Sequence, residues 1–223
     1  MINESGEKMK CELSRFSEKF KEHFDLSIMM CSFEERSLSL IKNVERQQLG
    51  NVLIIYNEEN EACRIQAKKA EEILGDNCVL LSVAINDPLV YADRVLGETS
   101  KYKEAKNVLI DVTTFTHEAL LITLRICEIA FPKSNVKYAY ANARQYCSDE
   151  IGEKKWLSKG ITEVRSVLGY SGDLNPCNRD RLLVIVGYQV FDISRIIYKI
   201  THSLIINVVY LSIMFLVLKE KKS

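Results

Sequence analysis

Six short runs of apolar and β-branched residues, separated by helical patterns, constrain the fold of this chain more than any other feature. Each run is five or six residues long and is apolar almost throughout. Such runs are typical of strands that are buried on both faces, as in a parallel sheet. The predicted strands cover residues 26–31, 52–56, 79–84, 108–112, 136–140 and 182–186.

Helical patterns lie between these runs, over residues 34–49, 60–74 and 116–131. The first two patterns stop at Gly50 and Gly75, and glycine commonly follows the last residue of a helix. Regular alternation of strand and helix indicates right-handed βαβ units. We therefore predict an α/β fold, with a Rossmann-like, doubly wound and mostly parallel sheet of about six strands.

The composition narrows the functional classes. Lysine plus arginine equals aspartate plus glutamate, 30 of each among 223 residues, so nothing indicates direct nucleic-acid binding. The seven cysteines form no CxxC pair and there are three histidines, so we predict no metal and no cofactor. Scattered cysteines and a polar N-terminus without an apolar signal segment are typical of a cytoplasmic domain.

Three regions follow from these patterns: a polar extension at 1–22, the Rossmann-like domain at 23–198, and an apolar segment with a basic end at 199–223. Residues 200–218 contain no charge, and as a helix they would reach about 28 Å, close to the ~30 Å hydrocarbon core of a bilayer. We predict a transmembrane helix that attaches the domain to the inner membrane. The alternative is burial in the core or in a homo-oligomer, which His202 and Asn207 favour.

Ligands of doubly wound sheets bind at the carboxyl ends of the strands, so residues that follow strands are candidates. Ser32, Phe33, Glu34 and Arg36 follow the first predicted strand. One interpretation is structural, with Ser32 and Glu35 forming a helix capping box. The other makes Arg36 a clamp for phosphate or carboxylate, and Glu34 an acid–base group or a ribose contact.

The fourth predicted strand ends in a second candidate set: Asp111, Thr113, Thr114, Thr116 and His117. Several hydroxyls and backbone N–H groups at the start of a helix suit an anionic ligand, such as a nucleotide. The structural alternative is a threonine that caps the helix and an aspartate that is solvated.

Further candidates follow the other strands. Asn142 comes after the fifth predicted strand and Tyr188 after the sixth, and both join the ligand-binding set. Cys31 at the end of the first strand, with His117 as its base, is a further candidate for a thiol nucleophile. The sequence contains no GxGxxG, GxxxxGK[ST] or GxSxG motif, which disfavours a dinucleotide dehydrogenase, a P-loop hydrolase and an α/β-hydrolase.

The passage VLIDVTTFTHEALLITLRI resembles the fourth-strand motif of CRISPR-associated Rossmann-fold (CARF) domains. Asp111, Thr113 and Thr116 match that motif by position, whereas Phe115 replaces a glycine and no lysine follows. The resemblance implies a dimeric sensor that binds a nucleotide signal at the strand ends. More loosely, the chain is similar to α/β proteins of bacterial antiphage defence, some of which carry a membrane segment.

Three functional hypotheses follow. The first is a membrane-anchored, nucleotide-sensing effector of a bacterial antiviral defence system. The second is an enzyme that processes nucleotides or nucleic acid, a hydrolase or glycosidase-like protein using Glu34, Arg36 and Asp111 for catalysis. The third is an oligomeric interaction module whose C-terminal segment is buried.

Overall fold

Two compact units make up the part of the chain that the computed structural model describes. The described residues are 22–142 and 166–170, together with the backbone of two strands at 181–186 and 205–210. The first unit holds residues 22–142 and 167–169, and the second holds the two strands. Residues 1–21 of the predicted extension and most of the stretch between the fifth and sixth predicted strands lie outside the described residues.

A five-stranded parallel sheet forms the centre of the first unit. Its spatial order is β3-β2-β1-β4-β5, and every neighbouring pair is parallel. The predicted α/β fold with a doubly wound parallel sheet is therefore confirmed for five strands, each within one residue of its predicted bounds. The strands are β1 (Leu26–Cys31), β2 (Asn51–Asn57), β3 (Cys78–Val83), β4 (Asn107–Asp111) and β5 (Asn135–Ala139).

Helices connect the strands of this sheet. Three single-turn 3-10 helices accompany them, at Glu35–Leu38, Gly75–Asn77 and Ser100–Tyr102. The α-helices are α1 (Ser39–Asn43), α2 (Arg46–Leu49), α3 (Glu61–Leu74), α4 (Pro88–Thr99) and α5 (His117–Ala130).

Two helical predictions need correction. The predicted helix over residues 34–49 is interrupted, because Val44 and Glu45 are extended and separate α1 from α2. Helix α4 was not predicted at all. The side chain of Asp87 accepts hydrogen bonds from the backbone N–H groups of Leu89 and Val90, and Pro88 occupies the first turn, where a missing N–H costs nothing.

The two faces of the sheet each bury an apolar layer. Met29, Ile54 and Leu109 belong to one layer, which packs against α1, α2 and α3. Ile28 and Ile110 belong to the other, which packs against α4 and α5. Each such side chain contributes about 1.5–3 kcal/mol when fully buried. The central strands are thus held from both sides, which fixes their carboxyl ends relative to one another.

The second unit contains β6 (Arg181–Val186) and β7 (Ile205–Tyr210), which pair in parallel. The sixth predicted strand therefore exists, but it pairs with β7 in a separate two-stranded sheet. Strand β7 lies within the segment predicted as a transmembrane helix, so that prediction is wrong for these six residues. Its β-branched residues Ile205, Ile206, Val208 and Val209 favour extended backbone. The remainder of 199–223 lies outside the described residues, and among the described ones no helix has the length and apolarity to cross a membrane.

Candidate ligand-binding site at the ends of β1 and β4

The two candidate segments meet at the topological switch point, which is the junction of β1 and β4 where the strand order reverses. In doubly wound sheets, ligands bind beside such a junction because the chain leaves the two strands toward opposite faces. A direct hydrogen bond joins the second segment to β1 here: the Thr114 hydroxyl donates to the Met30 carbonyl oxygen, 2.6 Å away. The strand order thus brings together residues that the sequence separates by about eighty positions.

Asp111 is a buried carboxyl at the end of β4. Its side chain is 3% exposed, and its Oδ1 accepts hydrogen bonds from the backbone N–H of Thr113, at 3.0 Å, and from the Thr113 hydroxyl. Burial raises the pKa of Asp111 to about 6, although the Thr113 hydrogen bonds and the charge of Arg36 oppose the rise. The alternative prediction of a solvated aspartate is therefore wrong.

Thr113 links Asp111 to the chain that follows β5. Its hydroxyl donates to Asp111 and accepts a hydrogen bond from the backbone N–H of Ala141 at 3.0 Å. Thr113 is itself buried. The side chain therefore holds the ends of β4 and β5 in a fixed relation, with no rotational freedom left to its hydroxyl.

Arg36 forms the charged centre of the site. Its Nε donates to Glu34 Oε2 at 2.5 Å and its Nη2 donates to Glu34 Oε1 at 3.3 Å, while Nη1 donates to the Ala141 carbonyl oxygen at 3.4 Å. The side chain of Tyr140 also interacts with the guanidinium. The hydrogen bond that Arg36 donates to the Glu34 carboxylate is the main cause that raises the pKa of Arg36. The ion pair is partly exposed, with 24% of the Arg36 side chain and 37% of the Glu34 side chain accessible.

Ser32 shapes the loop that carries this pair. Its hydroxyl accepts a hydrogen bond from the backbone N–H of Glu34 at 3.1 Å, and the Ser37 hydroxyl donates to the Glu34 carbonyl at 2.7 Å. Glu34, and not Ser32, is the residue that precedes the 3-10 helix. The predicted capping box between Ser32 and Glu35 is therefore wrong, and Ser32 instead closes a two-residue turn.

Most of the other described candidates are exposed. Phe33 is 53% exposed, and His117 and Asn142 are also exposed. Thr116 accepts a hydrogen bond from the Ala119 N–H at 3.4 Å and caps α5, so the alternative prediction of a threonine cap is confirmed. Tyr188 lies outside the described residues.

Cys31 ends β1 but does not have the properties of a nucleophile. Its side chain is 1% exposed, and burial raises its pKa to about 12. A thiol of this kind stays protonated at neutral pH, and the thiolate is the nucleophilic form. The Cys31 and His117 interpretation is wrong on this ground.

Two participants were missed from the sequence. Tyr140 is 50% exposed and contacts Arg36, and both backbone groups of Ala141 are used by the site. The aromatic side chain directly after β5 was an available indication for Tyr140. For Ala141 the sequence offered none, because its backbone and not its side chain makes the contacts.

The assembled groups are one cation, one accessible carboxylate, one buried carboxyl and several hydroxyls. Among the described residues, no cluster of three or more histidine, cysteine, aspartate or glutamate side chains could hold a metal ion. Arg36 offers charge-assisted hydrogen bonds to an anion, and Glu34 offers an acceptor for hydroxyl or amine donors. The arrangement therefore suits a ligand that is anionic at one point and a hydrogen-bond donor at another.

No protein-family model matches the chain, and no curated protein is similar to it in sequence. The resemblance to CARF domains thus stays a prediction that depends on the motif after β4.

Proposed function

We propose that the first unit is a sensor domain that binds a nucleotide or a similar small anion at the switch point between β1 and β4. The observation behind the proposal is that the ends of β1 and β4 meet at the switch point, where the charge of Arg36 acts on the buried Asp111 carboxyl. A small anionic ligand would exchange its water for the Arg36 guanidinium and for the polar groups at the strand ends.

The buried state of Asp111 supports a binding role. Desolvation opposes its ionisation, so the fold is less stable with this carboxyl ionised than with an uncharged group of the same shape. Proteins tolerate such costs most often at functional sites. Because Thr113 transmits the position of Asp111 to Ala141, a ligand that changes this carboxyl would also shift the chain after β5.

The test is calorimetric titration of the full chain with ribonucleoside mono-, di- and triphosphates. Arg36→Gln removes the cation and is expected to weaken binding by about 10- to 100-fold, the range of one or two charge-assisted hydrogen bonds. Arg125→Gln is the matched control, since Arg125 is also ion-paired, to Glu128 at 2.8 Å, on the exposed surface of α5. Equal affinity in the wild type and Arg36→Gln, or no binding of any nucleotide at millimolar concentration, would refute the proposal.

An enzyme is the second candidate, favoured by one observation. A carboxyl with a pKa of about 6 lies in the range that general acid–base catalysis uses, and Glu34 and Asp111 both lie close to Arg36. Incubation of the full chain with the same nucleotides, followed by chromatography of the products, tests it. Turnover that Asp111→Asn abolishes supports the enzyme, whereas binding without any product favours the sensor.

The wider role comes from the sequence alone. The resemblance adds the proposal that the sensor is an effector of bacterial antiviral defence, which forms a homo-oligomer and acts at the membrane through residues 200–218. The extended backbone of β7 argues against a helix over these six residues. Fractionation of cells that express the full chain separates the two: recovery in the membrane fraction supports the anchor, and a detergent-free soluble protein excludes it.

A further inference from the structure

The guanidinium of Arg36 is already engaged before any ligand arrives. An arginine side chain has five N–H donors; two of them are donated to the Glu34 carboxylate and one to the Ala141 carbonyl oxygen, and Tyr140 also interacts with the guanidinium. The Nε and Nη2 edge, which presents the parallel pair of donors that a phosphate binds best, is the edge that Glu34 occupies.

A phosphate can bind Arg36 across the Nε and Nη2 edge only if Glu34 moves aside. The Glu34 side chain is 37% accessible, so its carboxylate would be left partly desolvated without its two donors. A charged acceptor that loses its hydrogen bonds in such surroundings opposes binding. The ligand that binds at the lowest free-energy cost is one whose phosphate binds Arg36 and whose own donors replace the two that Glu34 loses.

The neighbouring side chains narrow the chemistry further. Phe33 directly precedes Glu34 and is 53% exposed, and Tyr140 contacts Arg36 and is 50% exposed. An exposed aromatic ring can stack against a planar base. Vicinal hydroxyls would supply two donors for the two oxygens of Glu34.

We infer that the site selects ribonucleotides over 2′-deoxyribonucleotides, with Arg36 binding the phosphate and Glu34 accepting from the ribose hydroxyls. This inference rests on the proposed function and names its ligand class. Glu34 acts as a specificity-determining residue: it competes with bare anions for Arg36, and it gains new donors from a ribose.

The experiment compares AMP, GMP, CMP and UMP with their 2′-deoxy counterparts and with inorganic phosphate, by calorimetric titration of the full chain at one ionic strength. The wild type is expected to bind its best ribonucleotide about tenfold or more tightly than the deoxy form, since a hydrogen bond to a charged group is lost. Glu34→Gln is expected to bring that ratio close to one, and to bind inorganic phosphate several-fold more tightly than the wild type. Glu35→Gln, an exposed neighbour that removes the same charge, is expected to keep the wild-type ratio.

The outcomes separate this inference from the proposed function. The inference is overturned if the wild type binds ribonucleotides and deoxyribonucleotides with nearly equal affinity, or if Glu34→Gln keeps the wild-type ratio of affinities. In either case, nucleotide binding that depends on Arg36 would still support the sensor proposal. Absence of nucleotide binding overturns both. Circular dichroism of Glu34→Gln verifies its fold, and glutamine retains an oxygen that can accept from Arg36.

Discussion

Replacing Asp111 with asparagine is expected to stabilise the protein at pH 8 and to have little effect near pH 4. The substitution keeps an oxygen that accepts from the backbone N–H and the hydroxyl of Thr113. It removes a charge that burial disfavours. The expected gain arises from the folded state, because the carboxyl of an unfolded chain is solvated.

The magnitude follows from the pKa. Burial raises the pKa of Asp111 from its ordinary value of 3.8 to about 6, and at about 1.4 kcal/mol per pKa unit this corresponds to about 3 kcal/mol. Because the pKa of Asp111 is higher in the folded protein than in the unfolded chain, protonation of this carboxyl stabilises the folded state. That contribution is fully present below pH 3.8 and is lost as the pH rises through about 6.

Few groups complicate this titration. Arg36 stays charged over the whole range, and its attraction for Asp111 is already part of the value of about 6. The thiol of Cys31, with a pKa of about 12, stays neutral. The new amide N–H group of asparagine needs an acceptor, so about 3 kcal/mol is the upper limit of the gain.

The assay is urea unfolding followed by circular dichroism, for the wild type and Asp111→Asn at several pH values between 4 and 8. The difference in unfolding free energy is expected to grow with pH and to level off above pH 7. Asp93→Asn serves as control, since Asp93 is an exposed residue of α4. A destabilising effect of Asp111→Asn that is equal at pH 5 and pH 8 would refute the reasoning.

Three further substitutions probe the site and its scaffold by thermal or urea unfolding. Thr113→Val removes the donor to Asp111 and the acceptor of the Ala141 N–H, and is expected to lower the free energy of unfolding by about 2–3 kcal/mol. Thr113→Ser should retain most of that stability, and a serine variant as unstable as the valine variant would contradict the hydrogen-bond explanation. Gly50→Ala places a Cβ 2.2 Å from a backbone carbonyl oxygen at φ +62°, and is expected to cost at least about 2 kcal/mol; an unchanged melting temperature would contradict this geometry. Tyr91→Phe leaves the buried Thr123 hydroxyl without its partner at 2.7 Å and is expected to lower the free energy of unfolding by about 1–2 kcal/mol. Adding Thr123→Val should partly reverse this loss, and strictly additive losses would show that the two hydroxyls are not coupled.

The sheet could be predicted because its central strands are buried on both faces, so that their apolar runs stand out from the rest of the sequence. Helix α4 could not be found by periodicity, because Leu89, Val90 and Leu96 are exposed and obscure the stripe formed by Tyr91 and Val95. Its capping aspartate and first-turn proline were the usable indications.

The strand at Ile205–Tyr210 escaped prediction for a different reason. The apolar run that contains it has the length of a bilayer span, and this length obscured the β-branched residues that favour a strand. The ends of β1 and β4 were predicted as ligand positions because strand ends are where doubly wound sheets bind. The contacts within the site were beyond prediction, because Arg36 and Ala141 are 105 positions apart and only the folded strand order makes them neighbours.

The separation of Arg36 and Ala141 in the sequence also affects the order in which the site forms while the chain is being synthesised. Strands β1, β2 and β3 are adjacent in sequence and in the sheet, so they can associate early, whereas β4 must return to the far side of β1 before Thr114 reaches Met30. Arg36 gains its contact with Ala141 later still, after β5 has been added. A nascent chain therefore has no complete site until the last strand of this sheet has docked, and a ligand that binds there would stabilise finished domains and leave partly folded ones unaffected.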